Sequence, residues 1–184
     1  NLEIPHMIVN TRENEVYKSD ILKFTSKEKY DLVYMDPPYG SNNEKMPPSR
    51  VRYSAYYHIW KTVVLNDKPE LFGASNRRED SRDKIAGSSF EEFRRSPETN
   101  RFIALEAIEK AIERINCRYL LLSYSSGGRA TKEELKEILE RFGEIIRVVE
   151  IDYKKNVMSY MRWTNDWINS DGKNTEYLFL LEKS

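Results

Sequence analysis

Cysteine and histidine are scarce in this chain of 184 residues, which has one cysteine and two histidines. A single cysteine cannot form a disulfide within the chain, and a cysteine-based zinc site needs more ligands than the sequence holds. Cys117 lies beside an apolar run and is predicted to be a buried thiol. We therefore expect neither a disulfide framework nor a metal site.

Long apolar runs and an excess of charge are also missing. The longest apolar run, Tyr177–Leu181, is far shorter than a bilayer span. No charged-then-apolar leader opens the chain, so the sequence predicts a soluble, cytoplasmic protein without membrane contact. The 30 basic and 30 acidic residues cancel, which excludes a histone-like polycation but leaves room for a local basic patch.

Strand and helix patterns alternate along the chain, which is typical of a doubly wound α/β sheet with helices on both faces. Strands are predicted at residues 31–36, 117–125, 144–154 and 176–183, and helices at 54–65, 101–116 and 131–142. The last helix opens with a capping box, Thr131 to Glu134, and closes at Gly143. The last two strands predict an antiparallel pair at the edge of the sheet. One catalytic domain is expected, with a polar loop or insert at about 66–100.

The strand at 31–36 is apolar on both faces, as in a buried parallel strand, and it runs into Asp36, Pro37, Pro38 and Tyr39. Proline lacks the N–H that a central strand needs, so the strand stops there. Ligands bind beyond the carboxyl ends of strands in doubly wound sheets, which makes this tetrad the candidate site. A given four-residue string arises by chance in roughly one chain of this size in a thousand, so a simple strand stop is the weaker interpretation.

The tetrad fits methylation of an exocyclic amine on a nucleic-acid base. Such a nitrogen is a poor nucleophile because its lone pair is delocalised into the ring. Asp36 and the carbonyl of Pro37 can each accept one N–H and so turn the lone pair toward an electrophile. Tyr39 would stack on the base through its ring. A base held in this way has to leave the duplex.

Around the tetrad the sequence resembles the Dam-like DNA adenine-N6 methyltransferases, the S-adenosylmethionine-dependent enzymes of restriction–modification systems. Asp-Pro-Pro-Tyr is their catalytic motif, and weaker similarity covers residues 16–20, 53–58 and 172–181. The resemblance implies a Rossmann-like class I methyltransferase sheet, S-adenosylmethionine as cofactor and double-stranded DNA as substrate. It also implies that Asp20, Ile21 and Asp36 contact the cofactor, although Asp20 equally suits a helix N-cap.

Two parts of the family pattern are missing, namely a Phe-x-Gly-x-Gly cofactor loop and a target-recognition region ahead of the tetrad. The seven glycines form no such loop, and only 35 residues precede Asp36. We therefore expect this chain to be the C-terminal half of a methyltransferase. The cofactor loop would come from a missing N-terminal half or from a companion subunit.

Basic and aromatic residues alternate just after the tetrad. Residues 45–66 contain no acid and four bases, with aromatic residues between them. This pattern suits phosphate contacts and base stacking, although an amphipathic helix with half of its aromatics in the core gives the same pattern. The expected nucleic-acid contacts are Arg50, Arg52, Tyr53, Tyr57, His58 and Lys61. Ser123, Ser125 and Ser126 either line the pocket or only shape the following glycine turn.

Three functions are compatible with these observations. Adenine-N6 methylation of DNA is favoured. Methylation of an exocyclic amine in RNA is the second, because similar tetrads serve there. The third is a catalytically silent DNA-binding subunit, but such a subunit has no need of Asp36.

Overall fold

The computed structural model describes residues 11, 13–24, 28–40, 52–154 and 173–184. In these residues the strands are β1 (Tyr30–Met35), β2 (Leu71–Phe72), β3 (Arg77–Arg78), β4 (Cys117–Ser125), β5 (Gly143–Lys154) and β6 (Lys173–Lys183). The helices are α1 (Tyr53–Tyr56), α2 (His58–Leu65), α3 (Asp83–Ala86), α4 (Ile103–Arg114) and α5 (Lys132–Leu139). The protein is therefore a mixed α/β structure.

The main sheet of the described chain has the strand order β1-β4-β6-β5. Strands β1 and β4 are parallel, and the connection between them carries α4. Strand β6 is antiparallel to both β4 and β5. The carboxyl ends of β1 and β4 therefore meet the beginning of β6 at one edge of the sheet. The predicted antiparallel pair of final strands is confirmed, with β5 as the outer strand.

One face of this sheet forms the core, and we call it the covered face. Leu120, Leu122 and Phe179 on this face are fully buried. Helices α4 and α5 pack over the same face, because Ile108 and Leu135 belong to the same buried cluster. The predicted buried thiol, Cys117, also lies in this cluster, and burial raises the pKa of that thiol.

The opposite face, which we call the open face, is not packed under α4 or α5. Leu32 and Tyr34 of β1 lie on it and are 54% and 57% exposed. The sequence predicted a strand buried on both faces, yet Met35 is the buried residue of β1. Two facts explain the difference: β1 has a single neighbour, β4, in the described sheet, and both long helices lie on the covered face. The expected helices on both faces are thus not seen in the described residues.

Helix α5 begins where its sequence predicts, whereas α4 begins at Ile103, slightly after its predicted start at residue 101. The Thr131 hydroxyl accepts the N–H of Glu134 at 3.1 Å, and the Glu134 carboxylate accepts the N–H of Thr131 at 2.8 Å, so the capping box is confirmed. The proposed closing role of Gly143 is wrong, because α5 ends at Leu139 and Gly143 begins β5. Glycine is needed there for space: a Cβ at Gly143 would lie 2.0 Å from the carbonyl oxygen of Glu182.

The charge-dense stretch 66–100 has more structure than the expected loop. It contains the β2–β3 hairpin, helix α3 and two 3-10 turns, Glu79–Ser81 and Ser89–Glu91. Arg78 is buried, and its guanidinium lies 2.5 Å from Asp67 and 3.0 Å from Asp80. Buried charges are tolerated when they are paired. The charge of this stretch is therefore partly used in internal ion pairs, which composition alone does not reveal.

The predicted helix at 54–65 is present as two helices, α1 and α2, with a break at Tyr57. Helix α2 ends at Leu65, because the exposed Asn66 adopts the left-handed αL conformation with a φ of 48°. No helix of the described ranges is both long and apolar enough to cross a bilayer.

Candidate active site

The register of the sheet brings polar side chains together on the open face. Tyr34 of β1 lies beside Leu121 of β4, and alternation puts Ser123 on the same face as Leu121. Ser123 pairs with Leu178 and Ser125 with Glu176, so Ser123 and Glu176 are diagonal neighbours on this face. Asp36 directly follows β1 and is exposed at the same edge.

The hydroxyl of Tyr39 joins these groups. It lies 2.7 Å from Asp36 Oδ1, 2.6 Å from Glu176 Oε1 and 3.1 Å from Ser123 Oγ. The Ser123 hydroxyl donates to the same Glu176 oxygen at 2.6 Å. Burial, and then the hydrogen bond with Glu176, raise the pKa of Tyr39 above its ordinary value. The phenol therefore keeps its proton and acts as a donor inside this cluster.

The backbone of Tyr39 is held as firmly as its side chain. Its carbonyl accepts the Tyr124 hydroxyl at 3.0 Å and the Arg129 N–H at 2.8 Å. The rings of Tyr39 and Tyr124 pack at a centroid distance of 4.9 Å. Burial raises the pKa of Tyr124 to about 12, which keeps that hydroxyl protonated as the donor. Sequence reasoning missed Tyr124 because it reads as an ordinary core residue of β4.

The prolines and the following glycine complete the turn. Pro37 is buried and Pro38 is half-buried, whereas Asp36 is exposed. Gly40 has a φ of +63°, and a Cβ there would lie 3.2 Å from the Cα of Glu91. A side chain is therefore disfavoured at residue 40 by backbone conformation and by space.

Glu91 links the turn to α1. Its carboxylate accepts the N–H of Tyr53 at 2.6 Å, while its backbone lies against Gly40. The 3-10 turn Ser89–Glu91 thus holds the chain both before and after residues 41–51. Part of the stretch that was expected to be a polar insert therefore supports the site.

Asp20 begins a turn and not a helix. Its Oδ1 accepts the N–H of Leu22 at 3.0 Å, and its carbonyl accepts the N–H groups of Lys23 and Phe24 at 2.9 Å. Asp20 and Ile21 are exposed. The described residues 21–24 form a turn, so the predicted helix N-cap is wrong, and contact of Asp20 and Ile21 with a cofactor stays a prediction.

The expected nucleic-acid residues divide into two groups. Arg50 lies outside the described residues. Arg52 is 5% exposed, and its Nη2 lies 3.5 Å from Glu92 Oε2. Its guanidinium is therefore buried in the protein, and contact of Arg52 with a phosphate stays a prediction. Arg52 instead helps to hold α1 against the 88–95 segment.

The remaining expected contacts lie together near the turn. Tyr53, Tyr57, His58 and Lys61 line an open depression of about 360 Å³ with Asp80. The rings of Tyr53 and Tyr57 stack at a centroid distance of 5.7 Å. Burial, and then the nearby negative charge of Asp36, raise the pKa of Tyr53. The negative charge of Asp36 therefore acts on Tyr53 in the wall of the depression.

Of the three serines at the end of β4, one belongs to the cluster and two shape the turn. Ser123 contacts Tyr39 and Glu176, as described above. The Ser125 carbonyl accepts the Gly128 N–H at 2.9 Å, and the Ser126 hydroxyl accepts the Thr175 N–H at 3.0 Å. Ser125 and Ser126 therefore help to shape the turn, and a role of Ser123 in lining the pocket stays a prediction.

The characterised proteins described next are similar to this chain and are both methyltransferases. No family model matches the chain. The type II methyltransferase M.FokI of Planomicrobium okeanokoites is 27% identical over 95% of this chain and 23% of its own length. The type II methyltransferase M.NlaIII of Neisseria lactamica is 27% identical over 93% of this chain and 43% of its own length. The resemblance to Dam-like restriction–modification methyltransferases is thereby confirmed. The chain spans less than half the length of these relatives.

Among solved structures, Thermoplasma acidophilum 1320 aligns with 90% of this chain and 52% of its own, at 11% identity and a TM-score of 0.42. A likeness of this size carries no argument about the fold.

Glu176, like Tyr124, is a site residue that sequence reasoning overlooked. It lies 137 residues after Tyr39, within the weakly similar stretch 172–181, where no role was assigned to it. The register of β6 on β4 could have indicated it, but register is not visible in the sequence before the pairing of the strands is known.

Proposed function

We propose that the protein transfers the methyl group of S-adenosylmethionine to the N6 amine of an adenine in double-stranded DNA, as part of a restriction–modification system. The proposal applies to the protein at its full natural length. The observation that carries it is the Asp-Pro-Pro-Tyr turn, whose carboxylate is exposed at the strand ends while the rest of the turn is held rigidly. The relatives named above support methyl transfer as the reaction class.

In this proposal Asp36 accepts one N–H of the adenine amine, and the carbonyl of Pro37 accepts the other. The two acceptors turn the nitrogen lone pair out of conjugation with the ring and toward the methyl donor. Preorganised acceptors of this kind need no rearrangement at the moment of reaction. Pro37 is buried and the Tyr39 carbonyl accepts two hydrogen bonds, and these contacts supply that rigidity.

The target adenine has to be flipped out of the duplex to reach Asp36. The stacked Tyr53 and Tyr57 rings and Lys61 line one open depression. Aromatic rings beside a cation are suited to an unstacked base and its phosphate. We therefore assign the depression lined by these residues to the displaced strand next to the target base.

The acidic groups of the chain fit the proposed cofactor. When bound, S-adenosylmethionine supplies an electrophilic methyl group on a sulfonium and presents an adenine amine. Asp20 and Asp36 are exposed carboxylates that can accept from the amine and attract the positive charge. The turn made by Asp20 also presents the Ile21 backbone beside its carboxylate.

Methyl transfer from labelled S-adenosylmethionine tests the proposal. We expect label on N6-methyladenine when the nucleosides of duplex DNA are separated, with structured RNA a poor competitor. Asp36→Asn keeps the shape of the side chain but loses its charge. It should lower the single-turnover rate by at least 100-fold, which corresponds to about 3 kcal/mol of transition-state stabilisation.

Asp31→Asn is the matched control, because Asp31 is an exposed aspartate at the other end of β1. It should retain the wild-type rate. Label on cytosine or on RNA would overturn the proposed substrate. An Asp36→Asn rate within threefold of the wild type would overturn the assignment of the site.

A further inference from the structure

Glu176 differs in its surroundings from other glutamates of the sheet. Glu150 lies 2.6 Å from the Lys132 ammonium and Glu182 lies 3.4 Å from the Arg118 guanidinium. Within the described part of the chain, the hydrogen-bond partners of the Glu176 carboxylate are instead two hydroxyls, those of Tyr39 and Ser123. Among the contacts of the described residues, Glu176 is therefore held by hydroxyls of the site, which points to a role there.

The hydroxyl of Tyr39 lies between two carboxylate oxygens, 2.7 Å from Asp36 and 2.6 Å from Glu176. It carries one proton, so it can donate to one of them at a time. The Glu176 carboxylate also accepts a hydrogen bond from the Ser123 hydroxyl. Asp36 and Glu176 thus compete for the phenol proton, and Asp36 reaches the protein through this oxygen alone among the contacts described above.

Asp36 needs such a tether. It follows the last residue of β1 and is exposed, and an exposed carboxylate that is held by nothing samples several rotamers. The contact at 2.7 Å fixes one oxygen of the carboxylate and with it the direction in which the other oxygen points. A small misplacement of a reacting group can cost a large factor in rate.

We propose that Glu176 is a positioning residue for methyl transfer: the Tyr39 hydroxyl donates to Asp36 and holds that carboxylate in place before the base arrives, and it donates to Glu176 once the base amine donates to Asp36. The inference depends on the proposed function. It gives the hydroxyl of Tyr39 a role beside the stacking role of its ring, and it gives the antiparallel strand β6 a direct part in the chemistry.

A double-mutant cycle tests the chain of contacts. Glu176→Ala and Tyr39→Phe should each lower the single-turnover rate by about tenfold or more. The first leaves the phenol hydroxyl on Asp36, where it competes with the base amine, and the second removes the hydroxyl that holds Asp36. The double variant should be no slower than Tyr39→Phe alone, because Glu176 acts through the hydroxyl that is already missing. Glu176→Gln keeps an oxygen acceptor for the phenol and should recover most of the lost rate. The dissociation constant for DNA should stay within twofold throughout.

Glu182→Ala, on the same strand but beyond the core, is the matched control and should leave the rate unchanged. Losses that multiply in the double variant would overturn the inference, because Glu176 would then act independently of Tyr39. A Glu176→Ala rate within twofold of wild type would overturn it as well. A wild-type protein that methylates no adenine would instead refute the proposed function, which separates the two failures.

Discussion

Leu122 and Ser123 are neighbours on β4, yet they belong to different parts of the molecule. Leu122 is fully buried under α4 and α5, whereas Ser123 faces the open side and joins Tyr39 and Glu176. The covered face is filled with aliphatic side chains, and the open face carries the polar cluster at the strand ends. One strand therefore supplies stability with one set of residues and the candidate chemistry with the alternate set.

This division predicts that changes on the two faces affect different measurements. A substitution on the covered face should lower the free energy of unfolding and leave the turnover of the folded protein intact. A substitution in the polar cluster should do the reverse. The predictions below test this division, beginning with the largest expected effect.

Leu122→Ala should lower the free energy of unfolding by about 2–5 kcal/mol, since it removes buried methylenes and leaves a cavity. Denaturant titration measures this change. Methyl transfer assayed at a temperature where the variant is folded should stay within threefold of wild type. A variant that is stable but inactive would break the division between the two faces.

Arg52→Ala extends the comparison to the charged residues near α1. Its guanidinium is buried beside Glu92, so its loss should destabilise the protein by about 1–3 kcal/mol. The salt dependence of DNA binding should not change. A reduced salt slope with unchanged stability would show that Arg52 faces phosphate after all.

The pH dependence of stability provides a smaller test at the same place. The hydrogen bond from Arg94 lowers the pKa of Glu92 below its usual value of 4.5. A depressed carboxyl pKa stabilises the fold above the unfolded-state pKa, and this stabilisation is lost as the pH falls. Glu92→Gln should therefore cost about 1–2 kcal/mol at pH 7, and the difference from wild type should shrink between pH 5 and pH 3. A constant difference would refute the assignment.

Lys61→Ala should give the smallest effect. The ammonium is half-exposed and pairs with Asp80 on the surface, so stability should change by less than about 1 kcal/mol. The slope of log binding constant against log salt should fall by about one unit if Lys61 contacts a phosphate. Lys110→Ala, on the exposed side of α4, is the control. An unchanged slope for Lys61→Ala would remove it from the DNA surface.

The sequence predicted the elements of the covered face well, because their signals are local. The capping box at Thr131 and the apolar spacing of α4 depend on residues three or four apart. The tetrad was found in the same way. The environment of Arg52 could not be predicted, because its partner Glu92 is distant in sequence. The structure of residues 66–100 could not be predicted either, because composition does not show which of its charges pair with one another. Glu176 was missed because only strand pairing shows that it faces Tyr39.

The pairing of β6 with β4 fixes the spacing between two positions of β6 that lie on opposite faces. Glu176 pairs with Ser125 and lies on the open face, and Phe179 pairs with Leu122 and is buried in the core. A single residue added between Glu176 and Phe179 would turn the glutamate to the covered face while Phe179 stays in place. The number of residues between the core position and the site position is therefore fixed, whatever side chains lie between them.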